Sequence, residues 1–159
     1  MTTLDSRTPT TAVRQIDARG PSFGAAITTV VLAATLITIP STLSVVLLSV
    51  QTVVFALGSL VGLQAQPYGV LFRRAVRPRL APPTVFEDPA PPRFAQTVGL
   101  VFALVGLVGL LTGVTLVAYV AVAFALGAAF LNAAFDFCLG CEMYLLGRRL
   151  FAGRGASAA

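Results

Sequence analysis

Histidine, lysine and tryptophan are all missing from this chain of 159 residues. Without histidine there is no side chain that normally titrates near neutrality, and the commonest metal ligand is gone. Charge is scarce as well: 11% of residues are Asp, Glu, Lys or Arg, against about a quarter in soluble domains. The sulfur ligands amount to two cysteines, so a tetrahedral metal site could not be filled within one chain. No phosphate loop, serine elbow or paired-carboxylate site is visible. These shortages exclude a water-soluble enzyme, a disordered tail and a nucleic-acid-binding module, and no cofactor or metal is called for.

What the chain has is hydrophobic length. Apolar residues make up 57% and the mean hydropathy is +0.89. They gather in two tracts, Phe23 to Leu63 and Phe94 to Leu139, which hold no Arg and only Asp136 as an acid. A helix rises ~1.5 Å per residue and needs about 20 residues to cross ~30 Å of hydrocarbon, so each tract is two spans long. All 11 basic residues are Arg and lie outside the tracts, in the two tails and in the segment between them. By the positive-inside rule the tails and the middle loop stay in the cytoplasm, and the short uncharged turns at Pro40-Ser41-Thr42 and Thr112-Gly113 face out. The reading is an all-α integral membrane four-helix bundle, multi-pass in the inner (plasma) membrane with both termini cytoplasmic. The first tract is too long for a signal-peptide core, so its first span is expected to be retained.

The resulting organisation is a cytoplasmic tail 1–22, a first transmembrane hairpin 23–63, a Pro/Arg-rich cytoplasmic loop 64–93, a second hairpin 94–141, and a basic interfacial helix and tail 142–159. Spans are read at 23–39, 43–63, 94–112 and 114–137. Pro40 stops the first, since an interior proline loses a hydrogen bond and clashes with the preceding turn. The loop carries seven prolines, Pro67 to Pro92, and is expected to be extended apart from a helical piece at Tyr68–Ala75. Arg73, Arg74, Arg77 and Arg79 form a strip suited to anionic headgroups. Gly58-x-x-x-Gly62 and Gly109-x-x-x-Gly113 permit close helix approach, within the chain or between copies in a homo-oligomer.

The halves also read as tandem copies related in parallel. Gly20-Pro21-Ser22-Phe23 parallels Pro91-Pro92-Arg93-Phe94, Phe55-Ala56-Leu57-Gly58 recurs as Phe124-Ala125-Leu126-Gly127, and Tyr68 with Arg73-Arg74 is echoed by Tyr144 with Arg148-Arg149. A two-span unit keeps its orientation when duplicated. From the Phe-Ala-Leu-Gly motif to the Arg pair takes 18 residues in the first half (55 to 73) and 24 in the second (124 to 148). The extra length falls around Asp136-Phe137-Cys138-Leu139-Gly140-Cys141-Glu142, and both cysteines lie in it.

Two cysteines three apart on a helix lie about 5–6 Å apart, within disulfide reach. The thiolate is the attacking form, and a helix N-terminus lowers its pKa. A break at Gly140 would put Cys141 at the head of an interfacial helix, with Tyr144, Leu145, Leu150 and Phe151 towards lipid and Arg148 and Arg149 towards phosphates. An unbroken span would leave both thiols near a C-terminal end, which makes them less acidic. The sequence leaves both open. About 20 residues from Val114 reach Ala133, so Asp136 falls at the cytoplasmic boundary, sharing a helix face with Asn132. Asp136 and Glu142 are candidates for proton transfer beside the dithiol, or simply a polar anchor for the span end. The cysteines themselves read as a redox pair, as small packed side chains, or as half of a metal site completed by a dimer.

These blocks, Ile16-Asp17-Ala18-Arg19-Gly20-Pro21, Arg73-Arg74-Ala75-Val76-Arg77-Pro78, Glu87 to Gln96 and above all Phe137-Cys138-Leu139-Gly140-Cys141-Glu142-Met143-Tyr144, resemble the bacterial membrane proteins that contain domain of unknown function 4395. The resemblance covers about residues 14–150. It implies a membrane protein with no assigned activity, and a thioredoxin-like or sulfurtransferase partner in the cytoplasm. The expectation is a thiol-disulfide or sulfur relay at Cys138 and Cys141. The alternative is a non-enzymatic membrane scaffold or small transporter component with structurally packed cysteines. Either has the lipid bilayer as its first partner, and neither calls for nucleic acid.

Overall fold

The computed structural model describes residues 15–155, with side chains to residue 150. Arg7 and Arg14, which helped set the expected topology, lie outside the described residues, as do the side chains of Phe151 and Arg154. The described chain is helical apart from one bridge between β1 (Ile16–Asp17) and β2 (Phe86–Glu87), antiparallel with Ile16 opposite Glu87. Six helices follow in order: α1 (Arg19–Thr38), α2 (Thr42–Ala56), α3 (Pro67–Leu71), α4 (Ala90–Leu111), α5 (Thr115–Phe135) and α6 (Leu139–Gly155). A wider π-type turn, Leu57–Val61, prolongs α2, and Phe72–Arg79 prolongs α3.

Four helices, including α2 with its extension to Val61, run 20 to 22 residues and are long and apolar enough to cross a membrane. They close a ring in which α1 packs on α2, α2 on α4, α4 on α5, and α5 back on α1. Leu32, Leu48 and Val122 lie at the centre with Ala103, Ala118 and Ala125. Large apolar side chains point away from it: Ile37 is 83% exposed and Leu116 72%. That distribution inverts the soluble pattern, in which the polar face is outside. Hydroxyls inside the helices bond back one turn, Thr35 to the Val31 carbonyl at 2.8 Å and Thr52 to the Leu48 carbonyl at 2.7 Å. Such bonds satisfy polar groups where no water reaches them.

The turns fall where proline and glycine indicated. α1 ends before Pro40, and Gly113, at φ 77°, turns α4 into α5. Helix starts differ from expectation. α4 begins at Ala90 and takes Pro91 and Pro92 into its first turn, where their missing N–H groups would be unpaired anyway. Likewise Pro67 opens α3, and the helical piece of the loop runs to Arg79 rather than Ala75. The Gly-x-x-x-Gly motifs act within the chain. A Cβ on Gly58 would lie 2.9 Å from Gln96, and one on Gly109 would lie 2.8 Å from the Ala118 nitrogen. Their second members, Gly62 and Gly113, supply positive φ at helix ends instead.

The other two helices, α3 and α6, sit at the same end of the ring. α3 with its extension covers α1, and α6 covers α4. Phe23 meets Phe72 with ring centroids 5.7 Å apart and planes at 43°, and Phe94 meets Tyr144 at 5.8 Å and 45°. Arg93 fastens α4 to the end of α2, donating from Nε to the Ser59 carbonyl (2.7 Å) and from Nη2 to the Leu60 carbonyl (2.8 Å). A cation on carbonyls with no helical partner is the favourable arrangement at a helix C-terminus. Arg19 holds the bridge, donating from Nε and Nη2 to Asp17 and from Nη2 to the Ala81 carbonyl.

Candidate functional site

α5 stops because Asp136 takes a left-handed conformation, φ 52° and ψ 24°. Aspartate is one of the few residues besides glycine that visits this region. Its carboxylate accepts a hydrogen bond from the Ser22 hydroxyl at 2.7 Å, which ties the break to α1. The fourth span therefore does break, but at 136–138 rather than at Gly140. Gly140 lies inside the first turn of α6 and serves packing: a Cβ there would be 2.6 Å from both Cα and Cβ of Ala95 on α4.

The earlier break changes which cysteine heads the helix. Cys138 stands immediately before α6, with its carbonyl accepting the Glu142 N–H at 3.0 Å and its Sγ accepting the Cys141 N–H at 3.3 Å. This is the bonding a serine or aspartate makes at a helix N-cap. Cys138 and Cys141 are joined as a disulfide with Cα atoms 5.2 Å apart, within the ordinary range of about 4.4–6.8 Å. Helix N–H groups and the positive end of the dipole stabilise a thiolate, so that advantage belongs first to Cys138, where the Gly140 break would have given it to Cys141.

The two cysteines have different surroundings. Both cysteines line an outer cleft shared with Arg19, Ser22, Glu87, Asp136 and Glu142. Cys138 also lines an inner cavity of about 420 Å³ among the helices, whereas Cys141 lines the cleft alone. The cleft is acidic. Burial pushes the Glu87 carboxyl above its usual range, and the charge of Asp136 pushes the same way. Asp136 and Asn132 both reach the cleft, but Asp136 has left the helix face they were expected to share. Glu142 stands exposed in the first turn of α6. Among the described residues, no group of three Cys, Asp or Glu is placed to hold a metal ion.

Glu87 was missed because no local pattern links it to the cysteines; the β1–β2 bridge and the start of α4, which packs on α6, bring it there. A second omission had a signal. Gln51 lies in mid-tract and is fully buried, where an amide needs partners. Its Oε1 accepts from the Tyr68 hydroxyl at 2.9 Å and its Nε2 donates to Thr28 at 3.4 Å. Nearby, Gln66 donates to Gln96 Oε1 at 2.9 Å.

Fold and site together define an all-α chain with four helices fit to cross a membrane and a cysteine pair just beyond the last of them. The chain belongs to the family of the domain of unknown function DUF4395, whose model matches residues 16–149. No curated protein and no solved structure matches it.

Proposed function

We propose that this protein is an inner-membrane four-helix bundle whose Cys138–Cys141 pair exchanges electrons with a thiol of a soluble cytoplasmic protein, thioredoxin-like or sulfur-carrying. The observation that carries the reading is the seat of the pair: a disulfide at the head of α6, with Cys141 lining an open cleft and Cys138 capping the helix. A partner thiolate attacks Cys141 from the cleft. The S–S bond breaks and Cys138 departs as the thiolate, the better leaving group because the helix N-terminus holds its charge. A second partner thiol, deprotonated as it attacks, then displaces Cys141, and Asp136, Glu142 and Glu87 in the same cleft carry the protons. Since the cytoplasm is reducing, the disulfide is a transient catalytic state rather than a structural one. Cytoplasmic sidedness rests on arginine placement.

A duplicated hairpin is part of the same reading. The closed ring, the covering of α1 by α3 and of α4 by α6, and the matching aromatic pairs support two copies of a helical hairpin plus cap. In that arrangement only the second cap carries cysteines.

Single Cys→Ser variants test the relay. With Cys138→Ser, the Cys141 thiolate can still attack the disulfide of an oxidised partner, releasing one partner thiol; this chain then has no second thiol to resolve the mixed disulfide, which should accumulate as a reductant-sensitive adduct in acid-quenched cells. Cys141→Ser should trap less. If neither variant traps a protein while both are present at normal levels, the cysteines only pack, and the scaffold reading takes over.

A further inference from the structure

Electrons taken from a partner thiol have to leave the pair again. The chain holds two cysteines only, so no second dithiol within it can accept them. Cys138 lines the cavity of about 420 Å³ as well as the cleft, and that size falls within the ~300–1,000 Å³ usual for small-molecule sites. Its walls come from small residues on three helices, Gly24 and Ala25 of α1, Gly99 of α4, and Ala125 and Ala129 of α5, with the rings of Phe55, Phe102 and Phe124. Amide side chains stand among them, Gln96 and Asn132 included. Gln96 accepts from Gln66 at its oxygen, which directs its nitrogen elsewhere as a donor, and Asn132 lines both the cavity and the cleft. A mostly apolar, partly aromatic pocket among the long helices, lined also by amides, by Cys138 and by the charged residues Asp17, Arg73 and Arg77, suits a flat lipid-soluble molecule bearing carbonyl oxygens.

We infer that the inner cavity binds a membrane quinone, which oxidises the Cys138/Cys141 dithiol. The Cys138 thiolate adds to a ring carbon, forming a C–S bond. Cys141, losing its proton, attacks the Cys138 sulfur; the S–S bond forms, the C–S bond breaks, and the electron pair stays on the ring. The two protons given up by the thiols end on the two carbonyl oxygens, so one dithiol and one quinone become one disulfide and one hydroquinone. Gln96 and Asn132 hold the oxygens, and the aromatic rings stack on the headgroup. This step rests on the thiol relay proposed above and assigns its second substrate.

The test uses the full chain in lipid nanodiscs, reduced and freed of reductant under anaerobic conditions, with a short-tailed benzoquinone as probe. Hydroquinone is followed by ultraviolet absorbance and the cysteines by mass-tag alkylation. Expected is one hydroquinone per disulfide formed. Ala129→Phe, which fills the chamber, and the near-isosteric Asn132→Leu should each slow this at least tenfold. Ala129→Phe, which lies outside the cleft, should leave reduction of the disulfide by dithiothreitol from the cleft side unchanged. Equal hydroquinone rates in wild type and both variants would mean the thiols meet quinone outside the cavity, and would overturn the assignment. So would absence of hydroquinone in a protein whose disulfide still exchanges with thiols, while leaving the relay intact. A disulfide inert to dithiothreitol and to partner thiols alike would remove both.

Discussion

Gly140 offers a sharp test of how α6 is held, because two effects of known sign compete there. In a free helix, Gly→Ala stabilises by about 0.8–1.0 kcal/mol, since glycine loses the most backbone freedom on folding. Here the new Cβ would lie 2.6 Å from the Ala95 Cα and 2.6 Å from its Cβ. The obstacle is backbone of a long helix, which cannot swing aside as a side-chain tip can. Overpacking of this kind costs about 1–3 kcal/mol, so Gly140→Ala should destabilise by up to about 2 kcal/mol net. It should also lever α6 from α4 and loosen the Phe94–Tyr144 contact. Adding Ala95→Gly removes one of the two close atoms but not the Cα, so rescue should be partial. The assay is reversible unfolding in mixed micelles titrated with a denaturing detergent, alongside the rate of disulfide reduction by dithiothreitol. A Gly140→Ala protein that is more stable than wild type would refute the packing of α6 on α4, and with it the placement of Cys138 between cavity and cleft.

Gln51→Leu should cost about 1–3 kcal/mol in the same unfolding assay, because Tyr68 and Thr28 lose their buried partner; adding Tyr68→Phe should recover part of it. Arg93→Met should raise amide hydrogen exchange in the Leu57–Gly62 turn, whose carbonyls at Ser59 and Leu60 it caps, while leaving α1 unchanged. Hydrogen bonds from Arg19 hold the Asp17 carboxyl below its usual range. Its contribution is thus complete above the unfolded-state value and lost as pH falls through the lowered one; wild type should lose its advantage over Asp17→Asn across that acidic window, and an equal gap at all pH would contradict the pairing. The acidic cleft should favour a basic partner surface, so mixed-disulfide formation in Cys138→Ser should slow with added salt, and Glu142→Gln should blunt the effect.

The four long helices were legible in the sequence because tract length, Pro40 and Gly113 are each local signals with one physical meaning. Arginine placement outside the tracts was equally plain. The break beyond α5 was not, because it depends on one aspartate adopting a left-handed conformation and on a serine 114 residues away accepting the role of its partner. Nothing in the run from Asn132 to Glu142 separates that outcome from a break at Gly140. Repeat alignment by motif set Tyr68 against Tyr144, whereas packing pairs Phe72 with Phe23 and Tyr144 with Phe94. The motif alignment thus follows letters rather than the contacts they make. Glu87 reached the cleft through a bridge of two residues per strand, too short to leave a periodic trace.

The central claim is that Cys138 and Cys141 cycle between dithiol and disulfide in the cell. The measurement that meets it most directly is their redox state in intact cells, acid-quenched and alkylated with a mass tag before and after brief oxidant and reductant pulses. The relay predicts that wild-type protein shifts between doubly tagged and untagged forms within the pulse and returns after it. A pair locked in one state throughout, tagged or untagged, would contradict the relay and leave a bundle whose cysteines serve its packing alone.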